Sequence, residues 1–424
     1  MGKIIWLKSE KMRRVLSNEE LIKALEFKMV YEFFYSLKDG REHLREPHKL
    51  ERYLDNMSFQ KEVTIENLVM EFSEVLKDFD FLNENLRVLA KISLEELQEF
   101  LKIDRLFQQK IDRGQFLEIA LEIIEVINSF QNPRMGQFST PKEVGELLKE
   151  IIEVKNNEKC IDITFGKGDL ALRVGKKEIG GYEINSTLGS FGNLMLSIAN
   201  KDGEVEIINS LNGDFEESDV GVCDPPYSMS SVNLEEDRNY LKWGVPKRTT
   251  DLYFLSLAID KSKKRGAIIL PEGALFRGGV EGDVRSNIIK SGFIEGVISL
   301  PSNLMFYTSI QTSLVIFNKT KKSKKIFFLD AKEKFKKIRG GVTISKEELQ
   351  DLARIYKDFQ EVENISKFVS CNEILKNDGV LNIVRYIEPK VYMKSTESIV
   401  EEMKVSMEKI TKYRHISDKI LSKI

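Results

Sequence analysis

Apolar residues recur every three or four positions along the first 130 or so residues, the spacing that favours amphipathic helices. The pattern is clearest over residues 16–37 and 116–130. Ser17 and Glu20 precede the first of these apolar runs with the spacing of a capping box, which marks the N-terminus of a helix. Because no alternating pattern competes there, we predict a helical N-terminal domain over residues 1–130.

The pattern changes from residue 131, beyond which short β-branched runs alternate with helical stretches. Strands that alternate with helices are typical of a mostly parallel sheet with helices on both faces, so we predict an α/β domain over residues 131–345. Residues 346–424 again show helical spacing and end in an apolar stripe from Ile399 to Ile420. The predicted strands are residues 160–164, 179–184, 205–209, 220–224, 266–271, 294–301, 313–318 and 325–330.

Composition narrows the class of protein. With 42% hydrophobic and 31% charged residues the chain reads as a globular protein, and no apolar run approaches the length of a membrane span. The three cysteines are widely spaced and the three histidines lie away from the motifs below, which indicates a cytoplasmic setting and disfavours a metal site or a histidine base. The formal net charge of −2 implies that any affinity for nucleic acid is local or supplied by a partner.

A glycine pair marks the turn between the first predicted strand and the next helix. Gly166 and Gly168 follow Asp162 there and let the backbone come close to a ligand. Glu183 ends the next strand, where a carboxylate can accept hydrogen bonds from both hydroxyls of a ribose. The first glycine of the pyrophosphate-binding pattern is missing, which suits S-adenosylmethionine (SAM), a ligand with a ribose and no phosphate. Taken alone, an ordinary glycine turn and a surface glutamate explain these residues equally well.

The strongest chemical signal is the sequence Asp224-Pro225-Pro226-Tyr227 at the end of the fourth predicted strand. The prolines fix φ and remove two backbone donors, so a rigid corner presents two acceptors, the Asp224 carboxylate and the Pro225 carbonyl. When two acceptors take hydrogen bonds from the two hydrogens of an aromatic amine, the lone pair of its nitrogen becomes available for reaction. Tyr227 can stack on a base extruded from a duplex. The competing interpretation is that these residues form a plain surface turn. The position of the corner in the strand order after the glycine turn disfavours it.

Several stretches of the chain together match one known family. They are residues 136–141 (GQFSTP), 162–170 (DITFGKGDL), 182–200, 224–230 (DPPYSMS), 270–289 and 297–319. On these stretches the chain resembles the modification subunits of type I restriction–modification systems, which are N6-adenine DNA methyltransferases. The resemblance implies the Rossmann-like fold of SAM-dependent methyltransferases and direct methyl transfer from SAM to the 6-amino group of a flipped adenine, without a metal.

The resemblance also implies roles for single residues. The target base would be held by Asp224, Pro225, Pro226 and Tyr227. SAM would be bound by Thr140, Pro141, Asp162, Gly166, Gly168, Glu183 and Asp214, with Asp214 facing its adenine. Ile163 stands where the family has a proline and Asp224 where it has an asparagine. We expect neither change to inactivate the site, because aspartate accepts hydrogen bonds at least as strongly as asparagine.

Partners follow from the same resemblance. It implies double-stranded DNA, a specificity subunit docked on the helical N-terminal domain and the C-terminal region, and a second copy of this chain in a complex with one specificity subunit. It leaves open whether a restriction subunit joins them. The polar stretch at residues 228–251 is predicted to form a flap over the site.

Two other functions stay open at this point. An N-methyltransferase acting on RNA or on protein glutamine shares the Pro-Pro corner, although the stretches within residues 270–319 count against it. A SAM-binding assembly subunit without catalysis is disfavoured by the intact corner at Asp224–Tyr227.

Overall fold

A computed structural model describes residues 12–36, 81–93, 95–97, 100, 113–128, 139–231, 238–305, 308–338 and 341–388, together with Lys404, Met407 and Thr411. Residues 136–138 and most of the predicted C-terminal stripe lie outside the described residues. The chain divides into two compact units, Met1–Ile387 and Glu388–Ile424. In the second unit Lys404, Met407 and Thr411 are helical, and the Thr411 hydroxyl donates to the Met407 carbonyl oxygen over 2.8 Å.

The described part of the N-terminal region is helical, as the spacing predicts. Helix α1 spans Asn18–Ser36, α2 spans Phe81–Val88 and α3 spans Arg113–Asn128. The predicted capping box begins α1: the Ser17 N–H donates to Glu20 Oε2 over 2.8 Å, and the Glu20 N–H donates to Ser17 Oγ over 3.3 Å.

Strands and helices alternate beyond residue 141. The helices are α4 (Lys142–Ile152), α5 (Asp169–Val174), α6 (Ser186–Ile198), α7 (Asp251–Lys261), α8 (Glu272–Phe276), α9 (Val280–Ser291), α10 (Lys346–Lys357) and α11 (Cys371–Lys376). The strands are β1 (Lys159–Asp162), β2 (Glu178–Glu183), β3 (Val205–Ile207), β4 (Ser218–Cys223), β5 (Ser262–Pro271), β6 (Ile294–Ser299), β7 (Thr312–Asn318), β8 (Lys325–Asp330), β9 (Lys336–Ile338), β10 (Gly341–Thr343) and β11 (Ser366–Ser370). Each of the eight predicted strands is therefore present.

The described residues form one large sheet of nine strands in the order β3-β2-β1-β4-β5-β7-β6-β8-β11. The strands from β3 to β5 pair in parallel, β7 runs antiparallel to both β5 and β6, and β11 runs antiparallel to β8. The strand order reverses beside β1, so the loops after β1, β2 and β4 meet at one edge of the sheet. In such folds ligands bind at this carboxyl edge.

Helices cover both faces of the sheet, and alternate residues along each strand supply the two cores. Ala267 and Ile269 of β5 join the core under α4 and α10, whereas Ile268 and Leu270 join the core under α7 and α9. A third core joins the N-terminal helices to α5, α6 and β2. The N-terminal helices thus share a core with the elements that follow β1.

The expectation of helix alone after residue 345 was wrong for residues 366–370. This segment is β11, which pairs with β8 from Ser366 opposite Leu329 to Ser370 opposite Lys325. The strand forms because β8 offers it a free edge, and a tertiary contact of this kind overrides local propensity. The predicted domain boundaries near residues 130 and 345 stay predictions. Within the described ranges, every helix falls short of the length or apolar character that crossing a bilayer requires.

Candidate active site

A cavity of about 250 Å³ opens at the carboxyl edge of the sheet. Its walls come from the loops that follow neighbouring parallel strands and from the first turn of α7. They include Thr164 and Gly166 after β1, Glu183, Ile184 and Leu188 after β2, residues 208–211 after β3, Asp224, Pro226, Met229 and Ser230 after β4, and Thr250 and Phe254 at α7. This edge is where the sequence predicts the cofactor and the target base to meet.

The loop between β1 and α5 forms one wall. Gly166 and Gly168 have φ angles of 56° and 85°, in the left-handed region that favours glycine. The Gly166 N–H donates to Glu183 Oε2 over 2.9 Å, and Gly166 lines the cavity. Gly168 has a different task, because a Cβ there would come within 2.6 Å of the Phe165 ring. Gly166 therefore faces the cavity, while Gly168 makes room for a buried side chain.

Glu183 is fixed at the end of β2 by two backbone donors. Besides the bond from Gly166, Glu183 Oε1 accepts from the Asn185 N–H over 2.8 Å. Asn185 in turn caps α6 by accepting from the Leu188 N–H over 3.1 Å. Next to this carboxylate stand apolar side chains, including Ile184, which is 69% exposed, and Ile208. An acidic group beside an exposed apolar surface suits a ligand that carries both hydroxyls and a flat ring.

The corner at Asp224 forms the opposite wall. Thr140 Oγ1 donates to Asp224 Oδ2 over 2.7 Å, and the Tyr227 hydroxyl donates to Asp224 Oδ1 over 2.7 Å. Burial raises the pKa of Asp224 to about 7, although both hydrogen bonds lower it. Each carboxylate oxygen still has a second lone-pair direction, so the group can accept a further hydrogen bond from a ligand amine.

Two more carboxyl groups are buried near Asp224. The pKa of Asp162 is raised to about 8, chiefly by burial and also by the charges of Asp224 and Asp169, although hydrogen bonds from Thr164 lower it. Burial also raises the pKa of Asp169, which accepts a hydrogen bond from the Ser139 hydroxyl. A cluster of carboxyl groups that resist ionisation favours a cationic ligand, since a nearby positive charge stabilises their charged forms.

The loop after the corner is held by an ion pair whose carboxylate is buried. Asp251, whose side chain is fully buried, pairs with Arg277 at 2.8 Å and accepts from the Ser228 N–H over 2.7 Å. Ser228 has a φ of 53°, a costly conformation for a residue other than glycine. The Arg277 guanidinium also donates to Ser228 Oγ over 3.0 Å. These contacts fix the direction in which the chain leaves the corner.

The structure brings most of the predicted site residues close to the cavity, but only some of them line it. Gly166, Glu183, Asp224 and Pro226 line the cavity. Asp162 lies buried behind the β1 loop, and Pro225 is buried at the corner. Pro141 is the N-cap of α4 and, like Thr140, is outside the cavity lining. Thr140, predicted to meet the cofactor, is hydrogen-bonded to Asp224 instead.

Two predicted placements differ more sharply. Asp214 does not reach the cavity: its side chain is 98% exposed and lies 3.4 Å from Lys261 Nζ. The chain turns after β3 through hydrogen bonds to Asn209, which brings residues 208–211 to the cavity and carries Asp214 past it. Tyr227 is outside the lining, since its hydroxyl binds Asp224 and its ring packs on the core under α4. The predicted flap at residues 228–251 contributes Met229, Ser230 and Thr250 to the lining.

Sequence reasoning missed several lining residues, among them Ile184, Ile208 and Asn209. A signal was available for Ile184, because it follows the predicted acidic residue at the end of β2. The region of Ile208 and Asn209 belonged to a predicted strand that ends two residues earlier in the structure. The link from Thr140 to Asp224 spans 84 residues, and no local pattern announces it.

The sheet order and this site define the class of protein first. A sheet ordered β3-β2-β1-β4-β5-β7-β6, with β7 antiparallel and a cavity at the ends of β1, β2 and β4, is the mostly parallel, Rossmann-like arrangement that the sequence predicts for a SAM-dependent methyltransferase. The chain belongs to the N-6 DNA Methylase family, whose profile matches residues 122–394.

Individual proteins agree with this assignment. The chain is 25% identical over 398 residues to the type I restriction enzyme MjaVII methylase subunit of Methanocaldococcus jannaschii, covering 83% of this chain and 69% of that protein. It is 27% identical over 385 residues to the MpnII methylase subunit of Mycoplasma pneumoniae, covering 78% and 70%. A methyltransferase subunit of a type I system from Streptococcus thermophilus superposes with a TM-score of 0.74 at 20% identity, covering 91% and 99%. The predicted family and fold are confirmed.

Proposed function

We propose that this chain is the modification subunit of a type I restriction–modification complex and transfers a methyl group from SAM to the 6-amino group of adenine in DNA. One observation carries the proposal: the acceptor corner at Asp224 and the carboxylate of Glu183 line the same cavity. A ligand bound along the cavity would span from Glu183 toward the corner, where an amine held by Asp224 would meet its reactive group.

SAM fits the chemistry of the cavity. Glu183 would accept hydrogen bonds from the ribose hydroxyls, and Ile184 and Ile208 would cover the adenine ring of the cofactor. The carboxyl groups of Asp162, Asp169 and Asp224 would stabilise the positive charges of SAM, since burial leaves them short of counter-charge. When bound, SAM supplies an electrophilic methyl group on a sulfonium centre.

Asp224 would orient the target amine. Thr140 and Tyr227 hold the carboxylate from both sides, so its remaining acceptor directions are fixed before a substrate arrives. The Pro225 carbonyl would accept the second amine hydrogen, because proline leaves no donor at this corner. The two acceptors would free the nitrogen lone pair for attack on the methyl carbon, without prior deprotonation of the amine. The bond from sulfur to the methyl carbon would break as the bond to nitrogen forms, and the Asp224 carboxylate would accept the surplus proton of the methylated amine.

DNA would approach from the rim beside α7. Lys247 and Arg248 are exposed there, and their backbone N–H groups donate to Glu281 Oε1 over 3.2 and 2.6 Å. Cationic side chains on a well-fixed backbone would bind the phosphate oxygens of a duplex while one of its bases enters the cavity. With a net charge of −2 the whole chain offers no general attraction for DNA. A specificity subunit would supply the rest of the affinity, in a complex with a second copy of this chain and, in a nuclease system, a restriction subunit.

Transfer of labelled methyl groups tests the proposal. The chain, assembled with its specificity subunit, is incubated with tritiated SAM and with DNA, RNA or protein in separate reactions. We expect label in DNA alone, and mass spectrometry of the digested DNA should find it in 6-methyladenine. Label in RNA or in protein glutamine would show that this molecule is the substrate and would contradict the proposal for DNA. SAM binding without any transfer would make the chain an assembly subunit and contradict the proposal.

A further inference from the structure

The residues of the loop after β1 face two different parts of the molecule. Ile163, Thr164 and Gly166 line the cavity. Phe165 and Lys167 turn the other way, toward the core that the N-terminal helices share with α5 and α6. The backbone that faces the ligand is therefore held from behind by side chains that reach the N-terminal region.

Lys167 makes a buried ion pair with the first helix. Its ammonium lies 3.0 Å from Glu26 Oε1, and the two side chains are only 6% and 10% exposed. Glu26 Oε2 accepts from the Asn85 side chain of α2 over 3.1 Å, so its carboxylate is held on both sides. A pair buried to this extent is costly to break, because removing one partner leaves the other charge in a poorly solvated place.

Phe165 locks the same loop by shape. A Cβ at Gly168, Gly181 or Gly192 would approach its ring within 2.6, 2.2 or 2.8 Å. Three glycines thus leave just enough room for the ring, which is 2% exposed and belongs to the core shared with α1, α2 and α3. The ring fixes one side of the glycine turn, and the ion pair of Lys167 fixes the other.

A second ion pair links the helix that follows the loop to the N-terminal region. Arg173 of α5 lies 2.8 Å from Glu125 of α3, and the arginine side chain is 2% exposed. Both α1 and α3 therefore contact the loop–helix element that forms one wall of the cavity. None of the described N-terminal residues lines the cavity itself.

We propose that Glu26 is a positioning residue of the cofactor site, which acts through Lys167 to hold the β1–α5 loop in its ligand-binding conformation. The inference rests on the proposed function, in which the cavity binds SAM. A turn with two glycines in left-handed conformations has many alternatives available when it is not restrained. Anchoring Lys167 between the two glycines removes those alternatives, and it fixes the Gly166 N–H that holds Glu183.

Cofactor affinity of the full chain, measured by titration calorimetry, tests this role. Glu26→Gln keeps the size of the side chain and removes its charge, and we expect it to weaken SAM affinity roughly tenfold. Glu26→Asp should weaken it less. The matched control is Glu84→Gln, which breaks an exposed ion pair between Lys23 of α1 and Glu84 of α2 and should leave SAM affinity unchanged.

A double-mutant cycle keeps the test informative where a single variant is unstable. Glu26→Gln/Lys167→Met removes both charges, so no unpaired charge stays buried. We expect its SAM affinity to be no weaker than that of the worse single variant, since the two residues act as one unit. In the assembled enzyme, KM for SAM should rise while kcat at saturating SAM and KM for DNA stay unchanged, a split that general destabilisation would not produce.

Two outcomes overturn the role of Glu26 and leave the proposed function intact. They are a folded Glu26→Gln chain that binds SAM as tightly as the wild type, and single-variant losses that simply add in the double variant. If the wild-type chain itself binds no SAM, both the proposed function and the role of Glu26 fail.

Discussion

Asp162 ends β1 and Asp224 follows the neighbouring strand β4, and burial raises the pKa of both carboxyl groups, to about 8 and about 7. Because each pKa is higher in the folded than in the unfolded state, the protonated carboxyl groups contribute to the free energy of unfolding. This contribution is fully present below the unfolded pKa and is lost as the pH rises through 7 to 8. A bound cation lowers both pKa values, because it stabilises the carboxylates. We therefore expect the binding of a cationic cofactor and the release of protons to be linked at neutral pH.

SAM binding should release protons at pH 7, and SAM affinity should rise between pH 6 and 8. The reason is that the cation displaces protons that burial keeps on Asp162 and Asp224. Calorimetry in buffers of different ionisation enthalpy counts the released protons. A binding enthalpy independent of the buffer, together with an affinity that is flat from pH 6 to 8, would show that the two groups do not face the cofactor charge.

Tyr227→Phe should shift the pH dependence of methyl transfer upward. The variant keeps the packed ring and removes the hydroxyl that donates to Asp224 Oδ1 and lowers its pKa. We expect a loss of about fivefold at pH 7, the equivalent of one hydrogen bond worth about 1 kcal/mol, with recovery at higher pH. The pH–rate profile of the assembled enzyme is the measurement. A uniform loss at all pH values would mean that the hydroxyl does not act through Asp224.

Among the elements, the segment that leaves the Asp224 corner depends on contacts from two helices. Asp251 begins α7 and Arg277 follows α8, and their ion pair holds Ser228 in its left-handed conformation. The segment then pairs Ser230 with Thr249 and places Met229 and Thr250 in the cavity wall. The direction of the chain after the corner thus depends on residues 20 to 50 positions away.

Arg277→Met should loosen this segment while leaving the β1–α5 loop intact. It leaves the fully buried Asp251 carboxylate without its cation, which costs about 2–3 kcal/mol of unfolding free energy. We expect methyl transfer to fall at least about tenfold, with SAM affinity unchanged, because Arg277 contacts none of the residues that we propose to bind SAM. The control is Arg354→Met, which removes an exposed pair with Asp351 on α10. Equal transfer rates in the two variants would contradict a positioning role for Arg277.

An element could be predicted from the sequence where its own residues determine its conformation, but not where a tertiary contact does. Strands such as β5 and β8 were predicted because their buried β-branched and aromatic residues form continuous runs. β11 was missed because its sequence, SKFVS, is short and mixed, and the edge of β8 decides its conformation. In the site, Glu183 and Asp224 stand at the ends of predicted strands and line the cavity in the structure, whereas the position of Asp214 depends on the turn at Asn209, which local spacing does not encode.

For the whole molecule, the N-terminal helices share a core with Phe165 of the β1–α5 loop and with α5, α6 and β2, which surround one wall of the cavity. A partner that docks on these helices would lie one layer away from the β1–α5 loop. The balance of 65 basic and 67 acidic residues gives the chain little attraction for DNA. Cofactor binding is therefore expected of the chain itself, while recognition of DNA is expected of the complex.

Adding the specificity subunit should raise the rate of DNA methylation by roughly tenfold or more at physiological salt, because we expect it to add phosphate and base contacts to those proposed for Lys247 and Arg248. SAM affinity should be present in the isolated chain. Initial rates on one DNA substrate, with and without the specificity subunit, check this expectation. A single chain that methylates one defined sequence at the full rate would contradict the need for a partner.

The central claim is that Asp224 holds the amine that receives the methyl group, and Asp224→Ala tests it most directly. The control is Asp330→Ala, which removes an aspartate from the carboxyl end of β8, outside the cavity lining. In the assembled enzyme we expect Asp224→Ala to lower transfer of tritiated methyl groups by about 10²–10³, roughly 3–4 kcal/mol of barrier, while SAM affinity stays within a few-fold. Asp330→Ala should transfer normally. Near-normal transfer by Asp224→Ala would contradict the account, because the acceptor corner would then not be where the chemistry occurs.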